Sequence, residues 1–198
     1  MLSKGNKIVA IASSTGGPKA LQELIPLLPS NLNAPILIVQ HMPAGFTKAL
    51  ADRLDVISQV RVCEAAEGDM LKKGHVYLAA GGMHMKVAES SPGGYYVIHY
   101  TDEPHREGVK PCANYMFESL VDSTFSEIVC VVLTGMGADG TAGILQLSKQ
   151  KKTTVIVQDE QTSVVFGMPK AAIKAGLADN GMNLESIAKE IIQNVGVF

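Results

Sequence analysis

The chain has 198 residues, 46% of them hydrophobic and 18% charged, so it can fill the core of one domain and is not disordered. Its 17 Lys and Arg residues nearly balance 19 Asp and Glu residues without forming a basic block, which argues against a nucleic-acid or anionic-membrane surface. No apolar run approaches the roughly 20 residues that span a bilayer, and the N-terminus lacks the apolar segment of a secretory signal, so we expect a cytoplasmic location.

Short apolar runs alternate with helix-like segments along most of the chain. The predicted elements, in chain order, are strand 7–12, helix 18–27, strand 35–40, helix 46–57, strand 59–64, a group of short strands with a hairpin over 74–100, helix 112–122, strand 128–133, helix 140–150, strand 153–158 and helices near 169–176 and 183–194. This order is typical of an α/β domain with a doubly wound, mostly parallel sheet flanked by helices. The hairpin near 74–100 would be a small antiparallel addition. We therefore expect residues 1–198 to form a single domain.

Three side chains with the chemistry of a nucleophile, a base and an acid follow directly on apolar runs. The turn 13–17, with sequence SSTGG, follows the first predicted strand, His41 follows the second, and Asp139 lies in the turn after the strand at 128–133. Ligands of open α/β sheets bind beyond the carboxyl ends of the strands. A serine, a histidine and an aspartate are therefore predicted to meet at one edge of the sheet, where they could act together in nucleophilic catalysis.

Each of these residues also has a simpler interpretation. Serine and threonine often cap helices, a histidine at a strand end can be satisfied by backbone groups, and Asp139 could cap the helix that it precedes. The residues alone leave Ser13 and Ser14 both open as the nucleophile. His84 is the one histidine that competes with His41 as the base, because it could face the same cavity.

The three cysteines form no CxxC pair and leave one over under any single disulfide. Cys112 lies at a predicted helix start, and helix N-termini lower thiol pKa values, so a reactive thiol there is one hypothesis. No histidine lies near it in sequence, which weakens that hypothesis. No metal site is predicted.

A rival function comes from the glycines of the third turn. Gly135, Gly137 and Gly140 match the GxGxxG dinucleotide fingerprint between a strand and a helix, and Asp159 follows nineteen positions after the last glycine. Against this interpretation, Asp139 would place a negative charge where a pyrophosphate must bind, and the fingerprint normally follows the first strand of its fold. A dinucleotide-binding module is the alternative function.

Four segments of the chain together resemble a known family. They are SSTGG after the first predicted strand, QHMPAGFTKALADRL at 40–54, LTGMGADGTAGI at 133–144 and QDEQTSVVFGMPKAAI at 158–173. In this order they resemble the catalytic domain of the CheB chemotaxis protein-glutamate methylesterases, and the similarity covers almost the whole chain. The resemblance implies a doubly wound α/β domain that carries a Ser-His-Asp triad.

Carried over by motif, the triad consists of Ser14, His41 and Asp139. Ser14 is chosen over Ser13 because it directly precedes Thr-Gly-Gly. Backbone N–H groups of Thr15 and Met136 are candidates for the oxyanion hole, because both lie in turns beside the reacting groups.

The resemblance also implies a substrate and partners. Members of this family hydrolyse γ-methyl esters of glutamate on the cytoplasmic helices of chemoreceptors, and some deamidate receptor glutamine. Neither reaction requires a metal or an organic cofactor. Complete members usually carry an N-terminal receiver domain. Since the first predicted strand begins at about residue 7, we expect no receiver domain here and an activity independent of a phosphodonor.

One departure from the family pattern lies at the predicted helix start near residue 112. Many members read Arg/Lys-Pro-Ser-Val-Asp where this chain reads KPCAN at 110–114. If this helix start contributes to substrate recognition, the loss of a carboxylate at Asn114 would alter specificity.

Overall fold

The computed structural model of the protein describes residues 6–198, and most of its strands form one parallel sheet. The strands are β1 (Lys7–Ser13), β2 (Ile36–Gln40), β3 (Arg61–Glu64), β4 (His75–Leu78), β5 (His84–Glu89), β6 (Tyr96–Thr101), β7 (Glu127–Val132) and β8 (Thr153–Val157). Six of these make a sheet in the order β3-β4-β2-β1-β7-β8, with every neighbouring pair parallel. The predicted doubly wound α/β fold is confirmed.

Apolar side chains on both faces of the central strands explain why these strands appear in the sequence as continuous apolar runs. In β1, Ile8, Ala10 and Ala12 pack into the core on one face of the sheet, whereas Val9 and Ile11 pack into the core on the other. Neither face of β1 is exposed to solvent. Functional groups carried by these strands can therefore reach solvent only at the strand ends.

Helices cover both faces of the sheet. They are α1 (Gly17–Leu24), which continues as a 3-10 turn over Ile25–Leu27, α2 (Thr47–Ile57), α3 (Ala113–Ser119), α4 (Thr141–Ser148), α5 (Gly167–Lys174) and α6 (Leu184–Val195). Helices α1, α2 and α6 share one core with the sheet, and α3, α4 and α5 share the other. As predicted, Pro18 lies in the first turn of α1, where its missing N–H costs no hydrogen bond.

The middle of the chain divides between the main sheet and a small antiparallel sheet. Strand β4 pairs in parallel with β2 and β3, so the first part of the predicted 74–100 group belongs to the main sheet. The antiparallel hairpin consists of β5 and β6 alone and packs against α3. The β4 residues Val76, Tyr77 and Leu78 are buried, as expected for a strand that lies inside a parallel sheet.

The order of the strands reverses direction at β1. The chain passes from β1 to β2 on one side and later returns to β7 on the other side of β1. Such a switch point leaves a crevice at the carboxyl ends of the strands, where ligands of open α/β sheets bind. None of the helices within residues 6–198 has the length and apolar character needed to cross a membrane.

Candidate active site

The three candidate residues Ser14, His41 and Asp139 follow β1, β2 and β7, the three adjacent strands around the switch point. Backbone hydrogen bonds join the segments that carry them. The His41 N–H donates to the Ser13 carbonyl at 3.1 Å, and the Ser14 N–H donates to the Thr134 carbonyl at 3.0 Å. The structure thus brings all three to one edge of the sheet.

The carboxylate of Asp139 is buried, with 2% of the residue exposed, and accepts four hydrogen bonds. Its Oδ2 lies 2.7 Å from His41 Nε2 and 2.6 Å from the backbone N of Ala113. Its Oδ1 lies 2.9 Å from the backbone N of Asn114 and 3.0 Å from Cys112 Sγ. Burial opposes ionisation, but these hydrogen bonds, led by that of His41, hold the pKa of Asp139 below its ordinary value.

Asp139 does not cap the helix that follows it. The N-cap of α4 is Gly140, with a φ of 93° and no side-chain cap, whereas Asp139 binds the first N–H groups of α3. In exchange, Asn114 Oδ1 in α3 accepts from Gly140 N at 3.1 Å and Gly143 N at 2.7 Å at the start of α4. Two helices far apart in sequence therefore cap each other, and this exchange fixes Asp139 beside His41.

His41 contacts Asp139 through Nε2, so Nδ1 is the ring nitrogen left for another partner. Within residues 6–198, Nδ1 makes no hydrogen bond. The imidazole is mostly buried, with 11% of its side chain exposed. A neutral imidazole with one nitrogen held by a carboxylate and the other free can accept a proton from a neighbouring hydroxyl.

The two serines differ in a way that the sequence does not reveal. Ser13 is fully buried, and its Oγ donates to Gln40 Oε1 at 2.7 Å. Ser14 is partly exposed, and its Oγ has no hydrogen-bond partner within the described residues. Of these two serines, Ser14 is therefore the one that offers a free hydroxyl.

Gln40 is a functional candidate that the sequence analysis missed. Its Nε2 donates to the Ser14 carbonyl at 2.9 Å and to the His41 carbonyl at 3.1 Å, and only 1% of the residue is exposed. A Cβ at Gly17 would lie 1.9 Å from Gln40 Oε1, so the second glycine of the turn makes room for this side chain. The only sequence signal for this role is a polar residue at the end of an apolar run, directly before His41.

His84 does not compete with His41 as a base. It is buried, its Nε2 lies 3.1 Å from the Pro104 carbonyl, and its Nδ1 accepts from the Cys112 N–H at 3.2 Å. Burial lowers the pKa of His84, which favours the neutral ring that these two hydrogen bonds require. His84 therefore anchors the start of α3.

The hypothesis of a reactive thiol at Cys112 is wrong. Cys112 is fully buried beside the charge of Asp139, and burial together with that charge raises the pKa of the thiol to about 12. These effects outweigh the helix N-terminus, so the group is a protonated donor and not a nucleophile. Asn114 is buried as well, so its side chain can influence specificity only through its neighbours.

In the glycine turn after β7, a protein side chain already binds backbone N–H groups that a dinucleotide would need to be free. The N–H groups of Gly140 and Gly143, at the start of α4, already bind Asn114. A Cβ at Gly135 would lie 2.7 Å from Ser14 Cβ, so this glycine permits the close approach of the two turns. The dinucleotide-binding alternative is not supported.

The groups proposed for an oxyanion hole are available in these two turns. Thr15 is exposed, Met136 is 74% exposed, and within residues 6–198 neither backbone N–H donates a hydrogen bond. Thr134 Oγ1 donates to the Thr15 carbonyl at 2.9 Å and thereby ties the turns together. Across the part of the chain that the structure describes, no group of three or more His, Cys, Asp or Glu side chains could hold a metal ion.

Comparisons with known proteins agree on one family. The model of the CheB methylesterase family matches residues 9–191. The protein-glutamate methylesterase/protein-glutamine glutaminase of Geobacillus kaustophilus strain HTA426 is 45% identical over 189 residues, covering 96% of this chain and 54% of the relative. The protein of the same name from Bacillus subtilis strain 168 is 47% identical over 187 residues, covering 94% and 52%.

A solved structure is also similar over nearly the full chain. The crystal structure of the Thermotoga maritima CheB methylesterase catalytic domain matches with a TM-score of 0.91 and 41% sequence identity. The match covers 96% of this chain and 100% of that domain. By contrast, the chain spans about half the length of the curated relatives it matches.

Proposed function

This chain belongs to the CheB methylesterase family, and we propose that it hydrolyses γ-methyl esters of glutamate on the cytoplasmic helices of chemoreceptors. The observation that carries the proposal is the 2.7 Å contact between His41 and the buried Asp139, at the sheet edge where Ser14 has a free hydroxyl. The relatives' names supply the substrate class, a glutamate methyl ester within a protein.

In the proposed reaction, Ser14 Oγ attacks the ester carbonyl while His41 Nδ1 takes the hydroxyl proton. His41 then donates that proton to the departing methoxide, methanol leaves, and a glutamyl ester remains on Ser14. Water repeats the sequence, with His41 again as the base, and releases glutamate. Asp139 orients the ring and stabilises the imidazolium.

The ring nitrogens have the opposite roles from those in chymotrypsin-type triads, where the aspartate binds Nδ1 and Nε2 is the base. Here Asp139 binds Nε2, which leaves Nδ1 as the base. Developing negative charge on the carbonyl oxygen would be stabilised by the backbone N–H groups of Thr15 and Met136. The triad side chains, these backbone N–H groups and water supply every group that the steps need, so the proposed reaction requires neither a metal ion nor an organic cofactor.

The same site would accept a glutamine side chain, with ammonia leaving in place of methanol. The two relatives carry both activities in their names, which supports protein-glutamine deamidation as a second reaction of this chain. The partner in either case is a chemoreceptor, so the protein would act in chemotaxis adaptation, in the cytoplasm where those helices lie. In full-length relatives the half that this chain does not match is long enough to hold a receiver domain.

Methanol release from a methylated chemoreceptor fragment tests the proposal. We expect time-dependent release of methanol, with mass spectrometry showing each lost methyl ester replaced by a glutamate carboxylate. A receptor fragment with glutamine at the same positions tests deamidation by ammonia release. The absence of methanol release, under conditions in which the Bacillus subtilis relative demethylates the same fragment, would contradict the proposal.

A further inference from the structure

The two oxygens of Asp139 are held by different groups. Oδ2 binds His41 and the Ala113 N–H, whereas Oδ1 binds the Asn114 N–H and the thiol of Cys112. The backbone donors belong to the start of α3. The thiol is therefore the one side-chain donor on Oδ1, the oxygen that faces away from His41.

The contact of Cys112 with Asp139 is short for a thiol. Its Sγ lies 3.0 Å from Oδ1, whereas the Sγ atoms of Cys63 and Cys130 lie 3.8 Å and 3.9 Å from their backbone acceptors. A thiol is a weak donor to a neutral carbonyl, but an ionised acceptor strengthens and shortens a hydrogen bond. Cys112 also stays protonated, because burial and Asp139 raise the pKa of its thiol.

The backbone of Cys112 is anchored from the opposite side. Its N–H donates to His84 Nδ1, and His84 in turn contacts the Pro104 carbonyl through Nε2. The ring of His84 also packs edge-on against Tyr115, with 4.6 Å between ring centroids. This chain of contacts fixes where the thiol lies relative to the carboxylate.

We propose that Cys112 is a positioning residue, whose thiol fixes the rotation of the Asp139 carboxylate so that Oδ2 stays directed at His41. The proposal rests on the proposed function of the triad. Without the thiol, Oδ1 would keep one donor while Oδ2 kept two, and the carboxylate could turn away from the best alignment with the imidazole. Because Asp139 stabilises the imidazolium that forms in the transition state, poorer alignment of the carboxylate slows the reaction.

Substitution of Cys112 tests this through its separate effects on kcat and KM in methyl-ester hydrolysis. In Cys112→Ala we expect kcat to fall about fivefold, the size expected for the loss of one ordinary hydrogen bond, since the thiol is a weak donor. KM should be unchanged because the thiol is buried.

Matched variants separate positioning from packing. Cys112→Ser keeps a donor and should restore kcat to within about twofold of wild type. Cys112→Val fills the volume without a donor and should behave like Cys112→Ala. The valine variant also replaces the alanine variant if the latter does not fold. Cys63→Ala removes an exposed thiol and should change nothing. A serine variant as slow as Cys112→Ala, or a valine variant as fast as wild type, would overturn the proposal.

Two measurements do not depend on the methyl-ester substrate. A fluorophosphonate should label Ser14 about fivefold more slowly in Cys112→Ala than in wild type. In the infrared, the S–H band lost in Cys112→Ala should lie at lower frequency than the remaining thiol bands and should shift in Asp139→Asn. Failure of wild type to react with the fluorophosphonate would count against the proposed function. Equal labelling of both proteins, or an S–H band unaffected by Asp139→Asn, would overturn the role of Cys112.

Discussion

Gln40 is the residue that ties the turn carrying Ser14 to the strand end carrying His41. It reaches both backbone carbonyls through one amide nitrogen, and its oxygen accepts from Ser13, so the side chain is fully bonded in a buried place. A small displacement of reacting groups can cost a large factor in rate. Gln40 is therefore expected to matter for turnover although it contacts no reacting atom.

Substitution of Gln40 should lower both turnover and stability. In Gln40→Ala, the His41 carbonyl loses a donor and a cavity forms, so we expect roughly 2–4 kcal/mol less unfolding free energy and roughly tenfold lower kcat. Gln40→Glu keeps the volume but directs a carboxylate oxygen at two carbonyl oxygens, and it should be less stable than the alanine variant at neutral pH. Urea unfolding and initial rates of methanol release measure both effects. Unchanged kcat in both variants would show that Gln40 does not position the site.

Some features of the helices and strands can be predicted from the sequence, and others cannot. The strand ends that carry the site could be predicted, because each apolar run and the turn after it are local. The exchange of caps between α3 and α4 could not be predicted, because Asn114 and Asp139 lie 25 positions apart. In the local sequence, each looks like a cap for the helix nearest to it. The place of β4 in the parallel sheet could not be predicted either, because a four-residue strand carries little pattern of its own.

At the opposite end of the strands from the site, an ion-pair network joins the three adjacent strands β1, β7 and β8. Glu127 at the start of β7 contacts Lys7 of β1 at 2.8 Å and accepts from Thr154 of β8 at 2.7 Å, with Lys152 at 3.1 Å. Burial opposes its ionisation, but these partners, led by Lys7, lower its pKa from 4.5 to about 2. Ionised Glu127 therefore stabilises the fold above about pH 4.5, and this contribution is lost as the pH falls towards 2.

The pH dependence of unfolding tests this network. Wild type should lose stability between pH 4.5 and about 2 more steeply than Glu127→Gln, which lacks the titrating carboxyl. At pH 7 the variant should be less stable, yet its kcat should match wild type, because the network lies at the edge of the sheet remote from Ser14. Glu160→Gln, an exposed substitution, is the control and should keep the wild-type slope. Parallel slopes in wild type and Glu127→Gln would contradict this explanation.

Across the whole molecule, the fold class and the approximate place of the site follow from the sequence, and the atomic contacts of the site do not. The alternation of strands and helices predicts the sheet, and the switch point at β1 then brings Ser14, His41 and Asp139 to one edge. The sequence distinguishes Ser14 from Ser13 only through the family resemblance. The structure adds a physical reason, because the hydroxyl of Ser13 is buried and bonded to Gln40.

The central claim is that Ser14, activated by His41 and Asp139, is the nucleophile of a protein-glutamate methylesterase. Its most direct test is methanol release from methylated chemoreceptor by wild type, Ser14→Ala and Ser13→Ala under identical conditions. We predict that Ser14→Ala lowers kcat on the order of 10⁴-fold or more, as loss of a triad nucleophile does. Ser13→Ala should keep most of the activity, since it removes one buried hydrogen bond. Turnover retained in Ser14→Ala and abolished in Ser13→Ala would contradict the claim.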